Sequence, residues 1–113
     1  MDDSRSQERI ALEEAAFREI NEFLEDRALA EIPPTQVEFV CECANGDCAE
    51  RLSLTIEEYE HVRERANWAL VKAGHLVPPA EHVVERRQGF WIVEKTAPVA
   101  REVYEKLDPR DGG

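Results

Sequence analysis

The chain has 113 residues, 42% of them hydrophobic, and its net charge at pH 7 is −11. This length predicts one domain with a modest core. No run of about 18 apolar residues occurs, so the sequence predicts no membrane-spanning helix. The acidic residues 1–4 are not followed by the apolar stretch of a secretory signal. We therefore expect a cytoplasmic protein.

The acidic charge is concentrated near the N-terminus. Residues 1–35 hold ten acidic and four basic side chains, a net charge of −6. Such a surface repels nucleic-acid phosphates, which disfavours direct binding to DNA or RNA. It favours a basic protein partner instead. The alternative is that the acidic side chains only keep a small domain in solution.

Residues 7–30 are predicted to form the first helix. Apolar residues recur at intervals of three, four and seven positions, and acidic residues occupy the other side. Pro33-Pro34 ends the element, because proline cannot donate to the helix ladder. The apolar stripe either packs on its own domain or docks on a partner. It consists of Ile10, Phe17, Ile20, Leu24 and Ala28, opposite Glu13, Glu14, Glu19, Glu22, Glu25 and Asp26.

Residues 37–54 are predicted to form a hairpin. The first strand alternates, with Glu38 and Glu42 on the face opposite the apolar and thiol side chains. Asn45-Gly46 is a turn dipeptide, since both residues tolerate positive φ, and residues 51–54 return as the second strand. The inward face of the first strand holds Val37, Phe39, Cys41 and Cys43.

The second half of the chain is predicted to contain two helices and three strands. Thr55 and Glu58 form a capping box that begins the second helix, which we expect to end at Asn67. Thr96 caps the last helix, with Pro98 in its first turn, where a missing amide costs nothing. The predicted strands cover 68–72, 82–86 and 90–94, and the inward helix residues are Tyr59, Val62, Ala66, Val99, Val103 and Leu107.

The predicted element order is α-β-β-α-β-β-β-α. It describes a small α+β domain in which three helices cover a mostly antiparallel sheet. We expect a single domain over residues 10–107, with a flexible N-terminus at 1–9 and a flexible tail at 108–113.

All three cysteines lie in one eight-residue stretch, 41–48. An odd number fits a secreted disulfide scaffold poorly, and fits metal-bound thiolates in a reducing compartment better. Cys41 and Cys43 project from one face of the strand, and the turn brings Cys48 back to them. Zinc takes four such ligands as a tetrahedron, and a site without an open position is structural. We therefore predict a structural zinc site.

One of three histidines is expected to supply the fourth ligand. His61 lies two residues after the inward-facing Tyr59, so we expect it to be solvated. His82 begins a strand and could be exposed or buried. His75 follows Gly74 in a turn, from which a side chain can reach the hairpin tip, and it is the favoured ligand.

Three other interpretations of the cysteines stay open. Two of them could form a disulfide beside one free thiol, although a bond between Cys41 and Cys43 would be strained. One could be a nucleophile that His75 activates. All three could be buried thiols that bind nothing.

A set of short motifs runs along most of the chain: Phe17-Arg18-Glu19-Ile20-Asn21-Glu22, Phe39-Val40-Cys41-Glu42-Cys43, Cys48, Leu52-Ser53-Leu54-Thr55, Glu58-Tyr59, Val62-Arg63, Gly74-His75, Val83-Val84-Glu85-Arg86 and Val93-Glu94-Lys95. Together these motifs resemble a group of small bacterial proteins of uncharacterised function, over roughly residues 14–96. In that group the cysteines recur with a Gly-His pair. The resemblance therefore implies that His75 completes the site with Cys41, Cys43 and Cys48, and it implies no activity.

The function expected from these features is that of a non-enzymatic interaction or regulatory module. A structural zinc would stabilise the fold, and the first helix and acidic surface would bind a protein partner. A first alternative is a thiol- or zinc-dependent enzyme that uses Cys48 and His75 with Glu42 or Asp47 as the carboxylate. A second alternative is a nucleic-acid-associated zinc adaptor, which the charge disfavours.

Overall fold

Three helices and five strands follow one another in the predicted order α-β-β-α-β-β-β-α. The computed structural model describes residues 3–30, 35–43, 48, 50–75 and 81–110. The small α+β domain that the sequence predicted is therefore confirmed. The elements are α1 (Asp3–Leu29), β1 (Val37–Val40), β2 (Arg51–Leu54), α2 (Ile56–Val62), β3 (Trp68–Val71), β4 (Glu81–Arg87), β5 (Phe90–Lys95) and α3 (Pro98–Lys106).

The strands form two antiparallel sheets. β1 pairs with β2, with Val37 opposite Leu54. The other sheet has the order β3-β5-β4. The turn between β4 and β5 contains Gly89 at a φ of 94°, a conformation that glycine adopts without strain. The predicted hairpin turn Asn45-Gly46 lies outside the described residues.

Residues 41–43 join the two sheets. The backbone N–H of Glu42 donates to the carbonyl of Leu70 on β3, with N and O 2.7 Å apart. In return, the N–H of Leu70 donates to the Glu42 carboxylate at 2.9 Å. One residue thus holds the edge of the three-stranded sheet with both its backbone and its side chain. This junction places the cysteines on either side of Glu42 next to the end of β3.

The apolar core lies between the sheets and α2. Phe39 of β1 stacks on Tyr59 of α2, with ring centroids 4.2 Å apart. Burial of such aromatic and aliphatic side chains supplies most of the driving force for folding. The cluster includes Val37, Phe39, Leu52, Leu54, Tyr59, Val62, Ala69, Leu70, Val71, Phe90, Ile92, Val93 and Tyr104.

Helix α1 buries a polar face, contrary to the sequence-based expectation. Leu24 and Ala28 do pack against the core, but Ile20 is 44% exposed, so the predicted inward stripe is wrong at that position. The assignment of Glu14 and Glu25 to the outer side is also wrong, because both are buried. The buried side chains of α1 are Ala11, Glu14, Ala15, Arg18, Asn21 and Glu25.

The polar side chains of this face are buried because other charged or polar groups meet them. Arg18 donates to the backbone carbonyls of Ala66 and Tyr104, and its guanidinium lies 3.7 Å from the Tyr104 ring centroid. Asn21 both accepts from and donates to the backbone of Val40. Paired in this way, buried polar groups avoid most of their desolvation cost. We call the set Glu14, Arg18, Asn21, Glu42, Arg63 and Lys95 the polar network.

The second helix begins as predicted and ends earlier. The capping box of Thr55 and Glu58 is present in both directions, which confirms that prediction. The helix stops at Val62, so the predicted end at Asn67 is wrong. Instead, Asn67 bonds with the backbone of Lys95: its carbonyl accepts and its side-chain amide donates. Asn67 therefore links the start of β3 to the end of β5 instead of ending a helix.

The last helix is rotated relative to the prediction. Its N-cap residue is Ala97 rather than Thr96, and the buried residues are Ala100 and Tyr104. Leu107, expected to face inward, is 43% exposed. The rotation follows from the polar face of α1, because Arg18 meets α3 through the ring and the carbonyl of Tyr104.

No helix in the described part of the chain is both long enough and apolar enough to cross a membrane. Helix α1 begins at Asp3 and thus includes residues for which the sequence predicted a flexible N-terminus. The proposed boundaries at residues 10 and 107 stay predictions.

Candidate metal centre

Three thiols and one imidazole meet where the end of β1, the returning hairpin strand and the turn after β3 come together. The potential ligand atoms of these four side chains all lie within 4.8 Å of one another. They belong to Cys41, Cys43, Cys48 and His75, the four residues that the sequence singled out, and we call them the thiol cluster. Their arrangement fits a metal site.

Cys41 is held in place by backbone hydrogen bonds on both sides. Its N–H donates to the carbonyl of Glu50, 3.2 Å away, which extends the β1-β2 pairing by one residue. Its Sγ accepts from the N–H of Lys72 at 3.2 Å. An N–H donor to sulfur stabilises a thiolate, as the groups around a metal's ligands commonly do.

A tight turn brings His75 to the thiols. The carbonyl of Lys72 accepts from the N–H of His75 at 2.9 Å, and Gly74 between them has a φ of 88°. A hydrogen bond across four residues with positive φ at the third is the pattern of a type II turn, which favours glycine there. The two backbone groups of Lys72 therefore position one thiol and the imidazole.

The distances from the imidazole match those of a tetrahedral zinc site. Nδ1 of His75 lies 3.6 Å from Sγ of Cys41 and 3.7 Å from Sγ of Cys48. For zinc with ordinary bond lengths, tetrahedral geometry places a ligand sulfur and nitrogen about 3.6 Å apart. The ligand nitrogen in such a site would be Nδ1. One ion could therefore bind to these atoms without rearrangement of the backbone.

The cluster is largely closed to solvent. Cys41 and Cys43 are 3% and 4% exposed, and Cys48 and His75 are intermediate. Burial raises the pKa of the Cys41 thiol, so a positive ion is needed to keep it ionised at neutral pH. Three thiolates and a neutral imidazole would fill the four positions of zinc, which is the composition of a structural site.

The other two histidines lie elsewhere. His61 contacts the carboxylates of Glu85 and Glu64, and the hydrogen bond with Glu85 raises its pKa. His82 is exposed and pairs with Glu94 at 3.2 Å. Both histidines are thus engaged with carboxylates outside the thiol cluster.

The geometry disfavours the alternative uses of the cysteines. All three thiols are unbridged, which is against a disulfide. A nucleophilic thiol requires a lowered pKa, and burial raises the pKa of Cys41, which disfavours that residue as a nucleophile. Cys48, the thiol named in the enzymatic alternative, lies 3.7 Å from Nδ1 of His75. Both oxygens of the suggested catalytic carboxylate, Glu42, already accept from Arg63 at 2.7 Å. The other suggested carboxylate, Asp47, lies outside the described residues.

One contributor to the site was missed at the level of the sequence, and another was given a different role. Lys72 acts through its backbone, which every residue type except proline could supply, so no side-chain signal marks it. Glu42 anchors the segment between two cysteines, and in the sequence it resembles any acidic residue of an alternating strand. Its place in the cysteine stretch suggested it only as the carboxylate of an enzymatic site, whereas the structure gives it an anchoring role.

No protein-family model, no curated protein and no solved structure matches this chain. The resemblance to the group of small bacterial proteins therefore stays a prediction.

Proposed function

We propose that this protein is a non-enzymatic interaction module whose fold is stabilised by a structural zinc ion. In this proposal the metal binds to Cys41, Cys43, Cys48 and His75. Helix α1 and the acidic surface around it then contact a protein partner. The observation that carries the first part is the convergence of three thiols and an imidazole within 4.8 Å, with Nδ1 of His75 at tetrahedral spacing from Sγ of Cys41 and Cys48.

The position of the cluster indicates a structural role for the metal. The cluster joins the end of the two-stranded sheet to the turn after β3, and these segments are far apart in the sequence. Binding of a metal across such a junction favours the folded state, because the unfolded chain has no preformed site. The ion would fasten the two sheets together, and no position would be left for a substrate.

The outward face of α1 supports the second part of the proposal. Leu12, Ala16, Ile20 and Phe23 follow at intervals of four, four and three residues, which places them on one side of the helix. All four are exposed, Phe23 by 58%. The acidic side chains around this stripe fit a partner of basic character; Glu8, Glu13, Glu19 and Asp26 are all exposed.

Native mass spectrometry of protein purified without added metal tests the zinc proposal. We expect one zinc ion per chain, lost in acid together with the fold. A metal-free chain with a mass two hydrogens below that of the reduced form would contradict the proposal, because it would show a disulfide.

Affinity capture from the native cells tests the interaction role. Phe23→Glu places a charge in the exposed stripe, so we expect it to weaken capture of a specific partner. Leu29→Glu is the matched control, since Leu29 is 50% exposed on the same helix but lies off the stripe. Equal capture by both variants and the natural chain would contradict a role for this face.

A thiol reagent distinguishes the structural site from the enzymatic alternative. We expect the three cysteines to react only after a chelator has removed the metal. One cysteine that reacts at neutral pH while metal and fold stay intact would indicate a thiol catalyst instead.

A further inference from the structure

The guanidinium of Arg110 is bound by three carboxylates from two helices. It makes five hydrogen bonds of 2.6–3.1 Å: two to Glu22, one to Glu25 and two to Glu60. Both Glu22 and Glu60 thus receive it in the paired geometry that a planar guanidinium allows. Arg110 follows the last helix, whereas its partners lie on α1 and α2. We call Glu22, Glu25 and Glu60 the carboxylate site.

The carboxylate site is built into the fold rather than spread over the surface. Glu25 is 4% exposed, and its Oε2 has no hydrogen-bond partner among the described residues. Glu22 also accepts from the hydroxyl of the buried Tyr59 at 2.9 Å, which fixes its orientation. A buried carboxylate oxygen without a partner is costly and marks a place where another donor can bind.

One guanidinium does not balance three carboxylates. Its hydrogen bonds lower the pKa of Glu60 to about 2, whereas burial raises the pKa of Glu25 to about 8. At neutral pH Glu25 thus keeps its proton, and the two ionised carboxylates of Glu22 and Glu60 still leave a net negative charge beside the single guanidinium. An arginine from another chain would fit such a site in place of Arg110, without rearrangement of the three carboxyl groups.

We propose that the carboxylate site is an arginine-recognition site, which Arg110 occupies within the chain and an arginine side chain of a protein partner occupies in its place. The proposal rests on the interaction role proposed above and specifies the chemistry of the partner. Because the guanidinium forms bidentate pairs, the site distinguishes arginine from lysine, whose ammonium group cannot reproduce that fork. Arg110 acts as an internal competitor that the partner must displace.

A peptide that copies residues 106–113 is a direct probe of this site. We expect it to bind to the full-length Arg110→Ala variant and to bind about tenfold more weakly to the natural chain, because a tethered competitor has a high effective concentration. The same peptide with lysine in place of its arginine should bind about tenfold more weakly to the variant than the arginine peptide does. Isothermal titration calorimetry measures both ratios.

Matched variants show whether the binding uses the carboxylate site. Adding Glu60→Gln to Arg110→Ala should abolish peptide binding, whereas adding Glu57→Gln on the exposed side of α2 should not. Arg101→Ala should behave as the natural chain does, since the Arg101 side chain pairs with Glu105 of its own helix. Zinc content and melting temperature establish that each variant is folded.

Three outcomes would overturn the proposal: no binding to Arg110→Ala, equal binding to the natural chain, or equal binding of the lysine peptide. If Arg110→Ala failed to fold, the Nε–H resonance of Arg110 in the natural chain would replace it as the readout. Excess peptide should shift that resonance, and an unchanged resonance would count against the proposal. If these tests contradict the arginine site but Phe23→Glu still weakens partner capture, the proposed interaction role is not contradicted.

Discussion

The thiol cluster and the polar network hold the same short segment of chain by different chemistry. Cys41 and Cys43 belong to the thiol cluster, and Glu42 between them belongs to the polar network. In the function proposed above, the thiol cluster needs an ion that the chain does not itself provide. The polar network uses groups of the chain alone: Glu42, for example, accepts from Arg63, Asn21 and the backbone of Leu70. If the proposal holds, this stretch depends on metal at two residues and on charge pairing at the third.

The largest effect is expected from loss of the metal. Cys43→Ser removes one ligand, and we expect both zinc and more than about 5 kcal/mol of stability to be lost, because structural zinc supplies on the order of 10 kcal/mol in small domains. Zinc content and thermal unfolding are measured on the same sample. A normal melting temperature for Cys43→Ser would show that the polar network alone suffices.

A smaller effect, with the metal retained, is expected when the polar network is broken. Glu42→Ala leaves the guanidinium of Arg63 buried without its partner, which costs about 3–5 kcal/mol. The variant should still bind one zinc ion, because its cysteines are unchanged. Glu38→Ala, at an exposed position of the same strand, is the control. If Glu42→Ala lost its zinc as well, the two regions would be one cooperative unit.

The sequence predicted the thiol cluster better than the polar network. Three cysteines in eight residues are rare, and few chemistries other than metal binding explain them. Glutamate, arginine and lysine are common on surfaces, so nothing marks Glu14 or Lys95 as buried. Their burial depends on partners that come from distant parts of the chain, and no local pattern gives that pairing.

The fold, too, was predicted correctly where local signals decide it and wrongly where distant contacts do. Element order followed from local signals such as the capping box at Thr55 and the proline at position 98, because turns and caps are set by neighbouring residues. Local signals did not predict which sides of α1 and α3 are buried. The apolar periodicity predicted that Ile20 and Leu107 are buried. Instead, Arg18 contacts α3 and Asn21 contacts β1, and these contacts bury other sides of the helices.

The buried Lys95 at the other end of the polar network should make stability depend on pH. Its ammonium contacts the carboxylates of Glu14 and Glu81, all three side chains being fully buried. Two carboxylates share one cation, so protonation of one of them removes an unbalanced negative charge from the buried site. Burial raises the pKa of Glu14 from 4.5 to about 9. Folded Glu14 thus keeps a proton that the unfolded chain releases above pH 4.5.

Stability should therefore fall as the pH rises from about 4.5 towards 9, by up to about 1.4 kcal/mol per pH unit from this group. Glu14→Gln carries no titrating proton, so we expect its stability relative to the natural chain to increase over that range. Urea unfolding at several pH values measures the difference, with Glu13→Gln as the exposed control. A constant difference between pH 6 and 9 would show that Glu14 is ionised in the folded protein.

The smallest effect is expected at Arg110, whose ion pairs are partly open to solvent. Its side chain is 32% exposed and that of Glu60 48%, so water and salt screen the attraction. Arg110→Ala should cost about 1 kcal/mol, and this cost should shrink at 1 M salt, where the Debye length is about 3 Å. The cost of Glu42→Ala should hardly change, because its charges are buried. Urea unfolding of both variants at low and high salt makes the comparison. A salt-independent loss at Arg110 would mean that its guanidinium acts by packing, and that the carboxylates hold it more tightly than an exchangeable occupant allows.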